Sequence, residues 1–129
     1  MEKYNIYTSY FKLSAKLLNT LSIVPKTPPW YVMGKATELL CSKELYNDCF
    51  KKRKYTEEEF TQIYTEEILS KQDPYEILKK YNNKILLGWY KEPSFDARFV
   101  FSKWIKDTTG IIIPEATKEY IKSLEVERI

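Results

Sequence analysis

Histidine is missing from this chain altogether. Its absence excludes catalytic triads built on imidazole, imidazole metal ligation and a histidine general base. Cysteine is almost as scarce, with only Cys41 and Cys49. On one helix these two thiols would stand about 12 Å apart, too far for a disulfide, and they read as reduced packing residues. Two thiols and scattered carboxylates offer no zinc-ligand spacing, so no metal and no cofactor is expected. Glycine is limited to 3 residues, in keeping with an ordered chain. No apolar run approaches the roughly 18 residues that span a bilayer, and Met1 to Asn5 do not lead into the apolar stretch of a signal peptide. The expected setting is cytoplasmic, with no membrane partner. Charge of one sign is lacking too: the net charge is only +3. With no groove-reading motif either, double-stranded DNA is not an expected partner.

What is present describes a globular chain. Its 129 residues are 43% hydrophobic and 30% charged, enough for one core and hence one domain over residues 1–129. The 11 tyrosines give buried surface that carries hydroxyls in need of partners. Abundant Lys, Ile, Asn and Tyr fit an AT-rich coding sequence, as in a low-GC bacterium or its phage. The basic run Lys51-Lys52-Arg53-Lys54 sits beside Thr56-Glu57-Glu58-Glu59. Ending one helix and opening the next, each run matches the sign of its dipole end; a phosphate-holding patch is the alternative.

Residues 4–10 and 20–24 are β-branched and aromatic and read as strands, with a short helix or turn over 11–19 whose Leu13, Leu17 and Leu18 share a face. Pro25 to Gly34 holds three prolines and reads as an ordered loop. Helices are expected over about 42–52, from Thr56 with Glu59 completing a capping box, and from the Asp73 N-cap with Pro74 in its first turn. The second of these buries Phe60, Ile63, Tyr64 and Ile68, and the third Tyr75, Leu78 and Tyr81. Ile85 to Tyr90 reads as a buried strand. Ser94 then caps a helix that buries Ala97, Val100, Phe101, Trp104 and Ile105 and stops at Gly110. Ile111 to Ile113 reads as a last short strand and residues 114–124 as a last helix, with Tyr120, Ile121 and Leu124 apolar. Strands separated by helices predict an α/β fold: a single three-layer domain with a small, mostly parallel sheet of about four strands flanked by helices.

In such folds ligands lie beyond the carboxyl ends of the strands, which directs attention to residues 84–105. There the frame Leu86-Leu87-Gly88, Trp89-Tyr90, Phe95-Asp96-Ala97-Arg98 and Trp104-Ile105 resembles the bacterial domain of unknown function 488 family, in its short single-domain form. Ile6 to Phe11 looks like that family's first strand. Leu21 to Val24 with Pro28-Pro29-Trp30-Tyr31 looks like its second strand and proline-rich loop. The likeness, weaker through Leu40-Cys41-Ser42 and residues 56–80, spans most of the chain. The resemblance sets Gly88 and Asp96 where the family carries cysteines, Tyr90 where it carries glutamate and Ala97 where it carries histidine. Only Arg98 survives from its Cys-His-Arg cluster. That pattern implies either loss of chemistry or a site rebuilt from Asp96, Glu92, Lys91 and the tyrosines.

Arg98 falls in the first turn of its helix, where it either shares an anionic ligand with the helix amides or pairs with Glu92 or Asp96. Gly88 ends a strand, leaving room for a ligand or simply for packing. Thr8, Ser9 and Ser22 lie at or near the ends of the first two strands as hydrogen-bonding groups, with no base to make either serine a nucleophile. Trp30 and Tyr31 either stack on a planar group or form a packed lid. The leading expectation is a non-catalytic binding module for a small anionic or planar, nucleotide-like ligand, held by Arg98, Thr8, Ser9, Ser22, Lys26, Trp30, Tyr31, Tyr90 and Asp96. The alternatives are a phage-type interaction protein that blocks a host protein or defence component, and an enzyme using Asp96 or Glu92 as acid or base.

Overall fold

The computed structural model describes residues 4–127. Strands β1 (Tyr7–Tyr10), β2 (Thr20–Ser22) and β3 (Ile85–Gly88) form a sheet in the order β1-β3-β2, with β3 parallel to both neighbours. All four residues of β3 are buried, as a central parallel strand requires and as the unbroken Ile-Leu-Leu-Gly run announces. The helices are α1 (Phe11–Ser14), α2 (Lys43–Phe50), α3 (Glu57–Glu67), α4 (Pro74–Lys80), α5 (Ala97–Thr109) and α6 (Lys118–Glu127).

Alternation along β1 defines the two faces of the sheet. Tyr7 stacks on Tyr120 of α6 at 4.2 Å, and Ser9 Oγ lies 2.6 Å from Ser14 Oγ of α1. The residues between point the other way: Thr8 bonds Glu115, and the Tyr10 ring meets Arg98 of α5. Helices therefore cover both faces in three layers, with α3 and α4 packed on α5. Both outer edges of the sheet are occupied by single parallel bridges, Thr8 with Glu115 and Ser22 with Lys35. The Thr8 amide donates to Pro114 O at 3.0 Å and the Ala116 amide to Thr8 O at 2.7 Å, so the β1 edge offers no free ladder there.

Local chemistry sets most boundaries. The Ser42 hydroxyl accepts from the Leu45 amide, Asp73 accepts from the amides of Tyr75 and Glu76, and Thr56 and Glu59 form the full reciprocal box. Gly110 ends α5 in the left-handed region at φ 78°. Lys51 caps the end of α2 and Glu57, Glu58 and Glu59 open α3.

Several boundaries differ from expectation. The third strand stops at Gly88, not Tyr90, because the Tyr90 amide donates to Asp96 Oδ2 at 3.0 Å instead of to a neighbouring strand. Asp96, not Ser94, caps α5, because the helix begins at Ala97, whose amide donates to Asp96 Oδ1 at 2.7 Å. Ser94 lies two residues before the cap, with its own amide donating to Lys91 O. β2 ends at Ser22, although the Ile23 amide still donates to Leu87 O. Ile111–Ile113 is not a strand: Ile112 is 71% exposed, and the pairing falls three residues later at Glu115. α6 starts only at Lys118. The sheet accordingly has three strands among the described residues, not four. In α4 the buried face is Ile77, Leu78 and Tyr81, while Tyr75 is 49% exposed. Leu18 is exposed because α1 ends before it can share a face with Leu17.

Candidate functional site

The carboxyl ends of the strands converge as the topology requires. Ser9 and Ser22 stand on either side of Leu87, one residue before Gly88. The Asp96 side chain closes over Gly88. It is held there by the amides of Tyr90 and Ala97, at 3.0 and 2.7 Å, and by the Arg98 guanidinium. Burial raises the Asp96 pKa above its usual value, opposed by Arg98 and by the two amides.

Arg98 is 0% exposed. Its Nε and Nη2 donate to the two oxygens of Glu115 at 3.0 and 2.7 Å, and its Nη1 donates to Tyr90 O at 2.7 Å and to Asp96. Its central carbon lies 4.3 Å from the Phe99 ring centroid and 5.7 Å from that of Tyr10. Thr8 Oγ1 completes the cluster by donating to Glu115 Oε1 at 2.7 Å. Two carboxylates surround one cation, so this buried group repels anions rather than attracting them. Of the two readings of Arg98 the structure shows pairing, with Asp96 among its partners, so its charge is consumed within the protein.

The other candidates divide into two sets. Ser9 bonds Ser14, and Ser22 Oγ donates to Val24 O at 2.7 Å while accepting from the Val24 amide. Both serines, like Thr8, are buried and engaged in the protein's own bonds. Tyr31 is packed inside with its hydroxyl 3.1 Å from Thr20 Oγ1, so it is lid rather than stacking platform, and burial raises its pKa. Trp30 is 61% exposed, and Lys26, Tyr90, Lys91 and Glu92 reach solvent. Asp96 fills the space directly over Gly88, and open spaces lie around it, among them one of about 520 Å³ reached by Thr8, Glu92 and Glu115.

Another such space is a cavity of about 480 Å³ beyond β3, lined by Phe50, Tyr55, Tyr90 and Phe95 together with Cys49, Arg53, Thr56, Glu57 and Ser94. Phe50 is nearly parallel to Tyr90 and Phe95, at 18° and 12°, with ring centroids 5.5 and 5.7 Å away. Behind it Tyr46 packs on Phe50 at 4.6 Å, its hydroxyl buried without a hydrogen-bond partner. Burial foremost, and the neighbouring Asp96 next, push the Tyr46 pKa up. Of these residues only Tyr90 was singled out as a ligand contact in the sequence. The rest carry no such signal, since Phe50 ends α2 while Arg53 and Tyr55 lie in the irregular turn after it.

The two thiols are free and buried, and burial pushes the Cys41 thiol up to about 12. Among the described residues no group of three His, Cys, Asp or Glu side chains is placed to hold a metal ion, and no helix is long and apolar enough to cross a membrane. Compared with models of known protein families, with curated proteins and with solved structures, the chain matches none.

Proposed function

We propose that this chain is a binding module for a small planar heteroaromatic ligand, one that presents both hydrogen-bond donors and acceptors as a nucleobase does. The observation that carries the reading is the aromatic cavity beyond β3. Phe50, Tyr55, Tyr90 and Phe95 line it, and Arg53 and Glu57 add a donor and an acceptor at the same space. Aromatic walls offer area at low entropic cost and stack any planar ring, while a few polar groups fix its orientation. The ionisable groups at the strand ends are tied to one another, which favours binding over acid–base chemistry in this reading.

Titration of the isotope-labelled chain with adenosine, guanosine, cytidine and uridine tests it. The expected result is saturable shifts at Phe50, Tyr55, Tyr90 and Phe95 with at least one nucleoside. Tyr90→Ala, at a partly exposed position, should weaken that binding by about 1–3 kcal/mol without lowering the urea midpoint. Absence of saturable shifts with all four compounds, or equal affinity in Tyr90→Ala, overturns the reading.

A further inference from the structure

Beyond the end of β2, against the first turns of α2, lies a smaller cavity of about 320 Å³. It is lined by Pro25, Lys26, Thr27, Lys35, Lys43 and Asn47. Its three lysines come from three separate segments. Lys26 is in the loop after β2, Lys35 is at the bridge to Ser22, and Lys43 is the first residue of α2. Lys35 is fixed twice, by that backbone bridge and by its Nζ, which donates to Pro25 O at 3.0 Å. The Lys26 carbonyl accepts from the Trp89 indole N–H, which ties its backbone to the residue after β3. A fourth cation, Lys51 at the end of α2, stands within hydrogen-bonding reach of the Lys26 side chain, and that contact first and their like charge second lower the Lys26 pKa.

Several cations elsewhere in the fold have a counter-ion. Lys52 pairs with Asp48, Lys80 with Glu38, Lys103 with Asp107, and Arg98 with Asp96 and Glu115. Among the described residues Lys26, Lys35, Lys43 and Lys51 have no carboxylate within ion-pair distance, and no acidic residue lines the cavity. Long, flexible side chains of like charge spread apart in water unless their backbones prevent it. Here the bridge, the loop tether and the helix start bring them together, and an anion is what relieves the repulsion. The neutral walls suit an oxyanion. Thr27 brings a hydroxyl and Asn47 an amide, whose N–H groups are its donors toward an anion. Lysine binds such groups as a point charge, without the planar match that arginine needs. The volume lies at the small end of ligand sites and leaves room for more than a bare ion.

We propose that the Lys26–Lys35–Lys43 cavity is a binding site for phosphate, free or as the monoester of a small molecule. It is separate from the aromatic cavity and does not depend on it. Isothermal titration and amide shifts of the full chain, with inorganic phosphate and with ribose 5-phosphate at constant ionic strength, test the proposal. The expected result is saturable binding with shifts confined to residues around 25–27, 35 and 43–47. The Lys26→Gln/Lys43→Gln variant should bind about tenfold more weakly at an unchanged urea midpoint, while Tyr90→Ala binds as the parent does. Tighter binding of ribose 5-phosphate identifies a monoester as the ligand, and tighter binding of inorganic phosphate identifies the free ion. Equal occupancy by chloride at the same ionic strength, lack of saturation with both phosphates, or full affinity in the double variant overturns the proposal.

Discussion

At Gly88 the fold depends on a missing side chain. A Cβ built there would lie 2.6 Å from Asp96 Cγ and 2.7 Å from its Oδ1, inside any contact real atoms make. The carboxylate cannot step aside cheaply, because two amides and Arg98 hold it. Gly88→Ala is expected to cost about 3 kcal/mol, by overpacking and by loosening a buried ion pair. A urea titration with unchanged slope and a lower midpoint checks it, and a midpoint within error of the parent would show that Asp96 relocates freely. The sequence marks Gly88 as the end of a buried strand and Asp96 as a carboxylate at a helix start. It does not show that the two fill one space, because a loop of irregular backbone brings residues eight apart into contact.

At the scale of elements, the α3 start is the clearest case of a local rule carried into structure. Thr56 and Glu59 satisfy each other's amides in the reciprocal box, so Thr56→Ala is expected to lose about 1 kcal/mol. Glu59→Ala should lose less, and the double variant less than the sum of the two; thermal and urea unfolding of the three proteins measure the coupling. Legibility follows from range. Capping residues, the Gly110 stop and the apolar run of β3 act over a few positions and are readable along the chain. The Ile111–Ile113 run misled because three β-branched residues signal a strand wherever they stand, whereas the edge of β1 takes its bridge from Glu115. The same residue is what the sequence leaves out of the pairing read for Arg98. Its decisive partner lies seventeen positions away, beyond Gly110, with no periodic signal linking them. The lysine cavity is hidden in the same way: Lys26 is among the expected ligand contacts, but its company of Lys35 and Lys43 is a product of topology.

For the whole molecule, the buried thiol makes stability depend on alkaline pH. Burial pushes Cys41 from 9.0 up to about 12, with the nearby Cys49 acting in the same direction. Between those values the unfolded chain has lost the thiol proton and the folded chain keeps it, so stability falls as pH rises. One such group contributes a slope of about 1.4 kcal/mol per pH unit. The buried hydroxyls of Tyr46 and Tyr64, also raised, add to the decline at higher pH. Urea midpoints measured from pH 8 upward should therefore fall less steeply in Cys41→Val than in the parent, and parallel curves would show that this thiol ionises freely in the fold. The strand order has another consequence. β1 and β2 pair only through β3, and β3 is the last of the three along the chain. During synthesis the two edge strands emerge early and wait for their central partner, β2 with only its bridge to Lys35, while α2, α3 and α4 are made. The sheet closes only when Gly88 clears the ribosome, so helix formation and collapse come first and a late, long-range pairing sets the pace.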